Sequence, residues 1–278
     1  MKIKVKFLDK RIRQQFSKIV ATVSAVLSAI LIFCEIPDEW KITSGIIFLV
    51  LLLVIYFVVW VYANRLADTS LSIGGTSVQI KKGDIFREEG LKVIPFNEYF
   101  DTIVDDRIIG KNSLNGQYII NIFPDVDKLS KRIKEDKDLN IPENILCKNV
   151  SREGGTTKYK LGSSIVIDEY VLTAFSKFNN KNEAELTMSE YINFLLQFWN
   201  EINRVYAQKS VTVPVFRSGI TRFKGGFNKI EIDELLNIML WTFRISETRF
   251  KYPAKLTIVI YGDLFDKINL FSLQEELD

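Results

Sequence analysis

The sequence predicts an α/β protein in two parts: an N-terminal transmembrane hairpin of two helices, then a three-layer αβα domain with a mixed, largely parallel sheet. Residues 19–63 are almost wholly apolar and are broken only by a short polar connector. The latter half of the chain alternates strand-like and helix-like patterns, which is typical of a parallel sheet covered by helices on both faces. A chain of 278 residues accommodates one domain of ordinary size and such an appendage.

The apolar segment divides into two predicted spans, residues 19–36 and 42–63, separated by "PDEWK" at 37–41. A helix needs about 20 apolar residues to cross a bilayer, and the second span carries no charge over its whole length. Because the connector allows only a tight hairpin, both outer ends of the hairpin face the same side. A cleaved signal peptide is the alternative for the first span, but its apolar run is long for that role and a second span follows at once.

A basic tail precedes the hairpin. Its seven cations against the single carboxylate of Asp9 give residues 1–18 a net charge of +6, so the rest of the chain sums to 3 − 6 = −3. By the positive-inside rule we expect a multi-pass membrane protein with both termini cytoplasmic. An acidic remainder argues against nucleic acid as a partner, because binding a phosphate backbone requires a basic face.

The cytoplasmic domain is predicted at 78–278, after a small, polar, glycine-containing linker at 64–77. Its strands are expected at 78–82, 91–96, 164–168, 170–176, 211–216 and 256–261, and one helix at 126–136. Thr187 and Glu190 form a T-x-x-E capping box that begins a second helix. Asn228 with Glu231 three residues later predicts the start of a third.

Composition limits the possible chemistry. The chain has no histidine, which excludes Ser-His-Asp and Cys-His catalysis as well as any histidine metal ligand. Its two cysteines, Cys34 and Cys147, are too far apart in the sequence to predict a zinc site or a disulfide framework. We therefore expect no bound metal and no resident cofactor.

The stretch "VPVFRSGITRFKGGF" at 213–227 has the build of an anion-binding loop. A loop that runs from a strand into a helix offers free backbone N–H groups and the positive end of the helix dipole. Gly219 has no side chain to block a phosphate, and Arg217, Arg222 and Lys224 add positive charge. Taken alone, the stretch fits an ordinary surface turn with solvated cations equally well.

Three further stretches follow predicted strands. "KKGDIF" at 81–86 ends a strand at Gly83-Asp84, and a carboxylate there can accept a hydrogen bond from an adenine amino group. "VIPFNEYFDT" at 93–102 clusters Asn97, Glu98 and Asp101, and "IIGKNSLNGQYI" at 108–119 is punctuated by glycines. Ligands of open α/β sheets bind beyond the carboxyl ends of strands, so these loops suit a nucleotide cleft.

In this order the motifs "GDIF", "VIPFNEYFD", "SLNGQY" and "VPVFRSGITR" resemble the macro domain, a binder of ADP-ribose and its relatives, over roughly residues 76–270. With two spans in front, the chain resembles the macro-domain effectors of membrane-bound (type II) Thoeris anti-phage defence systems. The resemblance implies a sensor that binds an ADP-ribose-derived signal made from NAD by a TIR-domain partner. It also implies a homo-oligomer in the bacterial inner (cell) membrane whose spans disrupt that membrane on activation, so that the infected cell dies by abortive infection.

The resemblance assigns roles residue by residue. Asp84 with Ile85 would hold the adenine end, Asn97 and Phe223 would lie near the distal ribose, and the Ser218 loop would wrap the diphosphate. The full set of predicted ligand-binding residues is Asp84, Ile85, Asn97, Asp101, Arg217, Ser218, Gly219, Ile220, Thr221, Arg222 and Phe223.

Two other function classes remain open from the sequence. One is a membrane-tethered ADP-ribosyl hydrolase, with Asp101 or Glu98 as the base that activates water. The other is a structural hairpin protein whose soluble domain binds only other proteins. The chain lacks the N-A-A-N and Gly-Gly-Gly-Val runs usual in macro domains and has Arg222 where a glycine is common, which favours sensing over hydrolysis.

Overall fold

The computed structural model describes residues 3–179, 183–217, 222–246, 248, 250–271 and 273, with the backbone alone at residue 222. The chain divides into two compact units. The first comprises the chain through Thr69 together with residues from Asp266 onward, and the second comprises Ser70–Phe265.

The first unit is built on two long helices, α1 (Lys10–Leu31) and α2 (Asp38–Arg65). Both are long and apolar enough to cross a membrane, judged by length and composition. Ile12 near the start of α1 packs in one cluster with Val59 and Ala63 near the end of α2, so the helices run antiparallel as a hairpin. The first helix runs from Lys10 to Leu31, whereas the span was predicted at 19–36. It begins earlier than the predicted span because the amphipathic residues before Ile19 are also helical.

The N-terminal segment packs onto the end of α2. The side-chain amide of Asn64 accepts hydrogen bonds from the backbone N–H groups of Lys4 and Val5 at 2.7 and 3.0 Å, and donates to the Val5 carbonyl at 3.3 Å. Trp60 Nε1 donates to the same carbonyl at 3.0 Å. Phe271, from the C-terminal segment, joins the cluster formed by Val5 and the helices.

The second unit is a three-layer αβα domain around a sheet in which the described residues form nine strands. Five strands in the order β2-β11-β9-β3-β7 run parallel, and β6 and β8 pair antiparallel with β7. The strands are β1 (Asp68–Ile73), β2 (Thr76–Lys82), β3 (Leu91–Asn97), β6 (Ser164–Ile167), β7 (Tyr170–Phe178), β8 (Ala184–Leu186), β9 (Val211–Pro214), β10 (Arg222–Phe223) and β11 (Leu256–Ile260), while β4 (Ile145–Cys147) pairs separately with β5 (Lys158–Tyr159). The predicted fold class is confirmed.

Helices cover both faces of this sheet. They are α3 (Leu114–Gln117), which continues as a π-helical turn at Tyr118–Ile122, α4 (Val126–Glu135), α5 (Met188–Val205) and α6 (Ile232–Ile245). On β7, Leu172 and Ala174 face the cluster that contains Leu129 of α4, whereas Phe175 packs on Phe194 of α5 with ring centroids 5.0 Å apart. This alternation is the period of two expected of a strand buried on both faces.

Most predicted elements match, and the exceptions have simple causes. The Thr187–Glu190 capping box is present at the start of α5. The predicted linker 64–77 instead contains the end of α2, strand β1 and the start of β2. Strand β1 was not predicted because "DTSLSI" is rich in small polar residues, which are also typical of linkers. The cap of α6 is Glu231 and not Asn228, and the Glu234 side chain accepts the backbone N–H of Glu231 at 2.9 Å. The strand predicted at 211–216 ends at Pro214.

Candidate functional site

A cavity of about 250 Å³ lies at the carboxyl ends of the parallel strands. Its walls come from the ends of β3, β7, β9 and β11 and from the loop that follows β2. Open parallel sheets bind ligands at this edge, because the loops there diverge and leave a crevice. The residues lining the cavity are Asp84, Pro95, Phe96, Asn97, Arg107–Gly110, Asn112–Asn115, Gln117, Phe175, Ser176, Phe178, Ala184, Pro214, Val215, Arg217, Ile232, Val259–Tyr261 and Leu264.

The loop at 105–117 forms one wall and is held by its own side chains. Asp105 Oδ1 accepts the N–H groups of Ile108 and Arg107 at 2.7 and 2.9 Å, and the bond from Ile108 holds the pKa of the Asp105 carboxyl below its ordinary value. Ser113 caps α3 by accepting the Gly116 N–H at 3.2 Å. A Cβ on Gly116 would overlap the carbonyl oxygen of Gly110, so the loop closes through a contact that only glycine allows.

Arg217 is the cavity's unsatisfied donor. Its guanidinium Nη1 is shielded from solvent and has no hydrogen-bond partner among the residues that the structure describes. A buried donor left unpaired costs free energy, and more so when the group is charged. An anionic ligand group in the cavity would supply the missing acceptor.

Of the two residues predicted to bind adenine, Asp84 lines the cavity and Ile85 does not. Asp84 lines the cavity, and its Oδ1 accepts the N–H of Phe86 at 3.1 Å to begin a short 3-10 turn. Ile85 does not line the cavity. Its side chain is buried in the core cluster between the sheet and α4, because the same turn directs it inward.

Asn97 and Asp101 were predicted to contact ligand, but their side chains are engaged within the protein. Asn97 lines the cavity, yet its Oδ1 accepts the N–H of Tyr99 at 2.9 Å and its Nδ2 donates to Asp101 Oδ2 at 2.9 Å. Asp101 is buried and does not line the cavity, because Arg152 binds both of its oxygens, at 2.8 and 2.9 Å. In the unliganded protein the structure therefore gives Asp101 a structural partner and no contact with the cavity.

Glu98, the other candidate base for a hydrolase, is also internal. Its side chain is fully buried, and Oε1 accepts the N–H of Phe178 at 3.1 Å and lies 3.3 Å from Lys158 Nζ. Burial raises the pKa of this carboxyl, while the bond from Phe178 and the charge of Lys158 partly oppose the rise. With Glu98 and Asp101 both outside the cavity wall, neither proposed water-activating base meets the cavity.

The predicted diphosphate loop falls mostly outside the described residues. Ser218, Gly219, Ile220, Thr221 and the side chain of Arg222 belong to that part of the chain. Phe223 is described, and its ring is buried against Tyr191 with centroids 5.5 Å apart in an edge-to-face pair. It packs in the core between β10 and α5, and it is not among the cavity-lining residues that the structure describes.

Sequence reasoning missed several lining residues that the sheet brings together. Ser176 and Phe178 end β7, which lies beside β3 and therefore ends at the same edge of the sheet. The largely apolar stretch at 170–176 already predicted that strand, so the residues at its carboxyl end could have been chosen as candidates. Arg107 precedes the glycine-punctuated loop that the sequence did single out, and no local pattern marks it.

Comparisons with known proteins address the family directly. Residues 78–261 match the family model described as Thoeris protein ThsA, Macro domain. The chain is 41% identical over 280 aligned residues to Thoeris protein ThsA from Bacillus amyloliquefaciens (strain Y2), covering 99% of this chain and 92% of that protein. The chain belongs to the Thoeris ThsA family.

This membership confirms the resemblance drawn from the motif order and identifies the second unit as a ThsA macro domain. Among solved structures, the chain is similar to the Oceanobacillus iheyensis macrodomain with ADP, at 14% identity and a TM-score of 0.42, covering 72% of this chain and 91% of that one. The same macrodomain with MES bound gives 15% identity and a TM-score of 0.40, covering 70% and 88%.

Proposed function

We propose that this ThsA macro domain binds an ADP-ribose-derived nucleotide in the cavity at the carboxyl ends of its strands. The observation that carries the proposal is Arg217, a guanidinium that lines the cavity with its Nη1 shielded and unpartnered among the described residues. A nucleotide diphosphate supplies the charged acceptors that such a donor lacks. Arg107 also lines the cavity, but Asp105 and Glu153 neutralise it in the unliganded protein, so the proposed anion site is at Arg217.

The role that follows is that of a membrane-anchored sensor in anti-phage defence. Helices α1 and α2 have the length and hydropathy to serve as the anchor. We place the protein as multi-pass in the bacterial inner membrane with both termini cytoplasmic, because its basic N-terminal segment precedes the hairpin. A TIR-domain protein would supply the signal from NAD, and activation of a homo-oligomer would disrupt the membrane.

A sensor requires two states that bind the signal with different affinities, since a ligand shifts an equilibrium only by that difference. Sensing fits the site better than hydrolysis, because Asp101 and Glu98 are engaged within the protein. The ligand-binding residues that we retain are Asp84 and Arg217, with the Ser218–Arg222 loop as the proposed diphosphate cradle.

Thermal unfolding of the full chain in detergent tests the binding step. ADP-ribose, NAD, cyclic ADP-ribose and amino-acid conjugates of ADP-ribose are added separately, and a ligand that binds the folded state raises the midpoint as its concentration increases. At least one of them should raise it. A midpoint that moves with none of the four would overturn the proposed ligand class.

A second assay separates binding from the membrane effect. The full chain is reconstituted into dye-loaded liposomes, and the ligand that stabilises the protein is added. Release of dye is the expected result. Ligand binding without release of dye would retain the sensor but contradict membrane disruption.

A further inference from the structure

Arg152 lies in the segment between β4 and β5 and holds this segment against Asp101, which in turn binds the cavity-lining residue Asn97. The Arg152 guanidinium is buried, binds both oxygens of Asp101, and donates from Nη1 to the Gly155 carbonyl at 2.9 Å. It also stacks over the ring of Tyr99, with its central carbon 4.0 Å from the ring centroid. A bidentate, stacked arginine fixes both the position and the orientation of its neighbours.

Two glycines beside Arg152 show how closely the segment approaches. Gly154 has φ +94° and Gly155 donates its N–H to Asp101 Oδ1 at 2.6 Å. A Cβ on Gly154 would overlap Asp101 Oδ1, and one on Gly155 would overlap the Tyr99 carbonyl oxygen. The "REGG" run at 152–155 therefore packs directly against Asp101 and Tyr99. The backbone position of Glu153 is fixed because its neighbours Arg152 and Gly154 are both held there.

Glu153 pairs with a residue of the cavity wall. Its Oε2 accepts a hydrogen bond from Nη2 of Arg107, and Arg107 lines the cavity. Arg107 Nε also lies 3.4 Å from Asp105 Oδ2, so two carboxylates neutralise this guanidinium. The Arg107 and Glu153 side chains are 59% and 53% exposed, and a pair this open to solvent exchanges partners readily.

We infer that Glu153 is a built-in competitor for the ligand, occupying on Arg107 the place that an anionic group of the ligand takes when it binds. This inference rests on the proposed function and adds a specificity determinant to the same cavity. In ADP-ribose and its conjugates the anionic group is a phosphate. Breaking the Glu153–Arg107 pair costs free energy and lowers the affinity of the protein for the ligand. A ligand with an anionic group at Arg107 offsets this cost by forming a new ion pair there.

Calorimetric titration of the full chain in detergent with ADP-ribose tests this competition. Glu153→Gln should lower the Kd for ADP-ribose about two- to fivefold, the range that an exposed ion pair supports. Arg107→Gln should raise the Kd, and adding Glu153→Gln to Arg107→Gln should give no further gain. The gain should shrink at high salt, because exposed charges are screened.

Two controls make the result specific. Glu143→Gln removes the same charge from an exposed position that does not line the cavity, and it should leave the Kd unchanged. Adenosine, which carries no anion, should bind the wild-type protein and Glu153→Gln equally.

The inference is overturned if Glu153→Gln binds ADP-ribose no more tightly than wild type, if Glu143→Gln gives the same gain, or if the gain persists without Arg107. In each case binding of ADP-ribose itself leaves the proposed function standing. A wild-type chain that binds ADP-ribose no more tightly than adenosine overturns the inference alone, and one that binds none of the four nucleotides overturns both.

Discussion

The guanidinium of Arg152 donates two parallel hydrogen bonds to the carboxylate of Asp101, at 2.8 and 2.9 Å, across 51 positions of sequence. Both side chains are buried, and Asn97 and Gly155 donate to the same carboxylate. Asn97 lines the cavity, so this ion pair connects a cavity-lining residue to the segment that carries Glu153. A buried ion pair holds its geometry because breaking it leaves a charge in a poorly solvated place.

Asp101→Asn should therefore destabilise the macro domain strongly. The substitution keeps the shape of the side chain but removes the counter-charge of a buried guanidinium, which costs about 3–5 kcal/mol of unfolding free energy. Chemical unfolding of the full chain in detergent measures the change. The matched control is Asp168→Asn, which removes the carboxylate from the exposed pair with Arg132, at 3.2 Å, and should cost less than about 1 kcal/mol. Equal small losses in both variants would show that the buried pair does not hold the domain.

The Arg152–Asp101 pair also shows where sequence reasoning reached its limit. Strands β3, β7, β9 and β11 could be predicted, because short apolar runs such as "LTIVI" have the length and the β-branched composition of buried strands. The motif order was sufficient to predict the fold class and the edge of the sheet where the cavity lies. Asp101 was predicted as a ligand contact because its polar neighbours cluster at a strand end. Nothing local to Asp101 indicates that an arginine 51 positions away binds it.

Phe223 illustrates the same limit for packing. An aromatic residue just after an anion-binding loop fits a ribose contact in sequence terms, but its ring meets Tyr191 of α5. The choice between a core position and a cavity position depends on which face of β10 the residue occupies. That face is set by the parallel pairing of β10 with β8, which brings Phe223 opposite Leu186. A two-residue strand has too little alternation to predict its register.

Glu98 should give the domain a specific pH dependence. Burial raises the pKa of its carboxyl above the ordinary value of 4.5, so the folded state holds the proton more tightly than the unfolded state does. Its stabilising contribution is complete below pH 4.5 and is lost as the pH rises through the higher folded-state pKa. Glu98→Gln cannot titrate, so the unfolding free energy of this variant relative to wild type should increase over that pH window. Unfolding titrations from acid to neutral pH measure the difference, with Glu143→Gln as the exposed control. A flat difference for Glu98→Gln would contradict the buried-carboxyl assignment.

Gly116→Ala should distort the cavity wall. The new methyl group would overlap the Gly110 carbonyl oxygen, and overpacking of this kind costs about 1–3 kcal/mol. Because the 105–117 loop lines the cavity, we expect a higher Kd for ADP-ribose together with a lower unfolding midpoint. Gly45→Ala in α2 is the control, since nothing lies within 4 Å of the position that its new methyl group would take and alanine is the better helix former. The assignment of this loop to the ligand cavity would be contradicted by an unchanged Kd in a Gly116→Ala protein whose midpoint has fallen.

Arg217→Met should change stability and binding in opposite directions. Methionine keeps much of the side-chain length but removes the shielded Nη1 donor, which has no partner among the described residues and so costs free energy in the unliganded protein. The unliganded variant should unfold at the same midpoint or a higher one. Its Kd for ADP-ribose should rise about ten- to a hundredfold, which corresponds to losing one hydrogen bond between charged groups. Arg132→Met, at an exposed ion pair away from the cavity lining, should leave the Kd unchanged. Thermal unfolding and calorimetric titration of the same preparations measure both quantities. A variant that is less stable and binds ADP-ribose as tightly as wild type would assign Arg217 a structural role in place of the ligand-binding one.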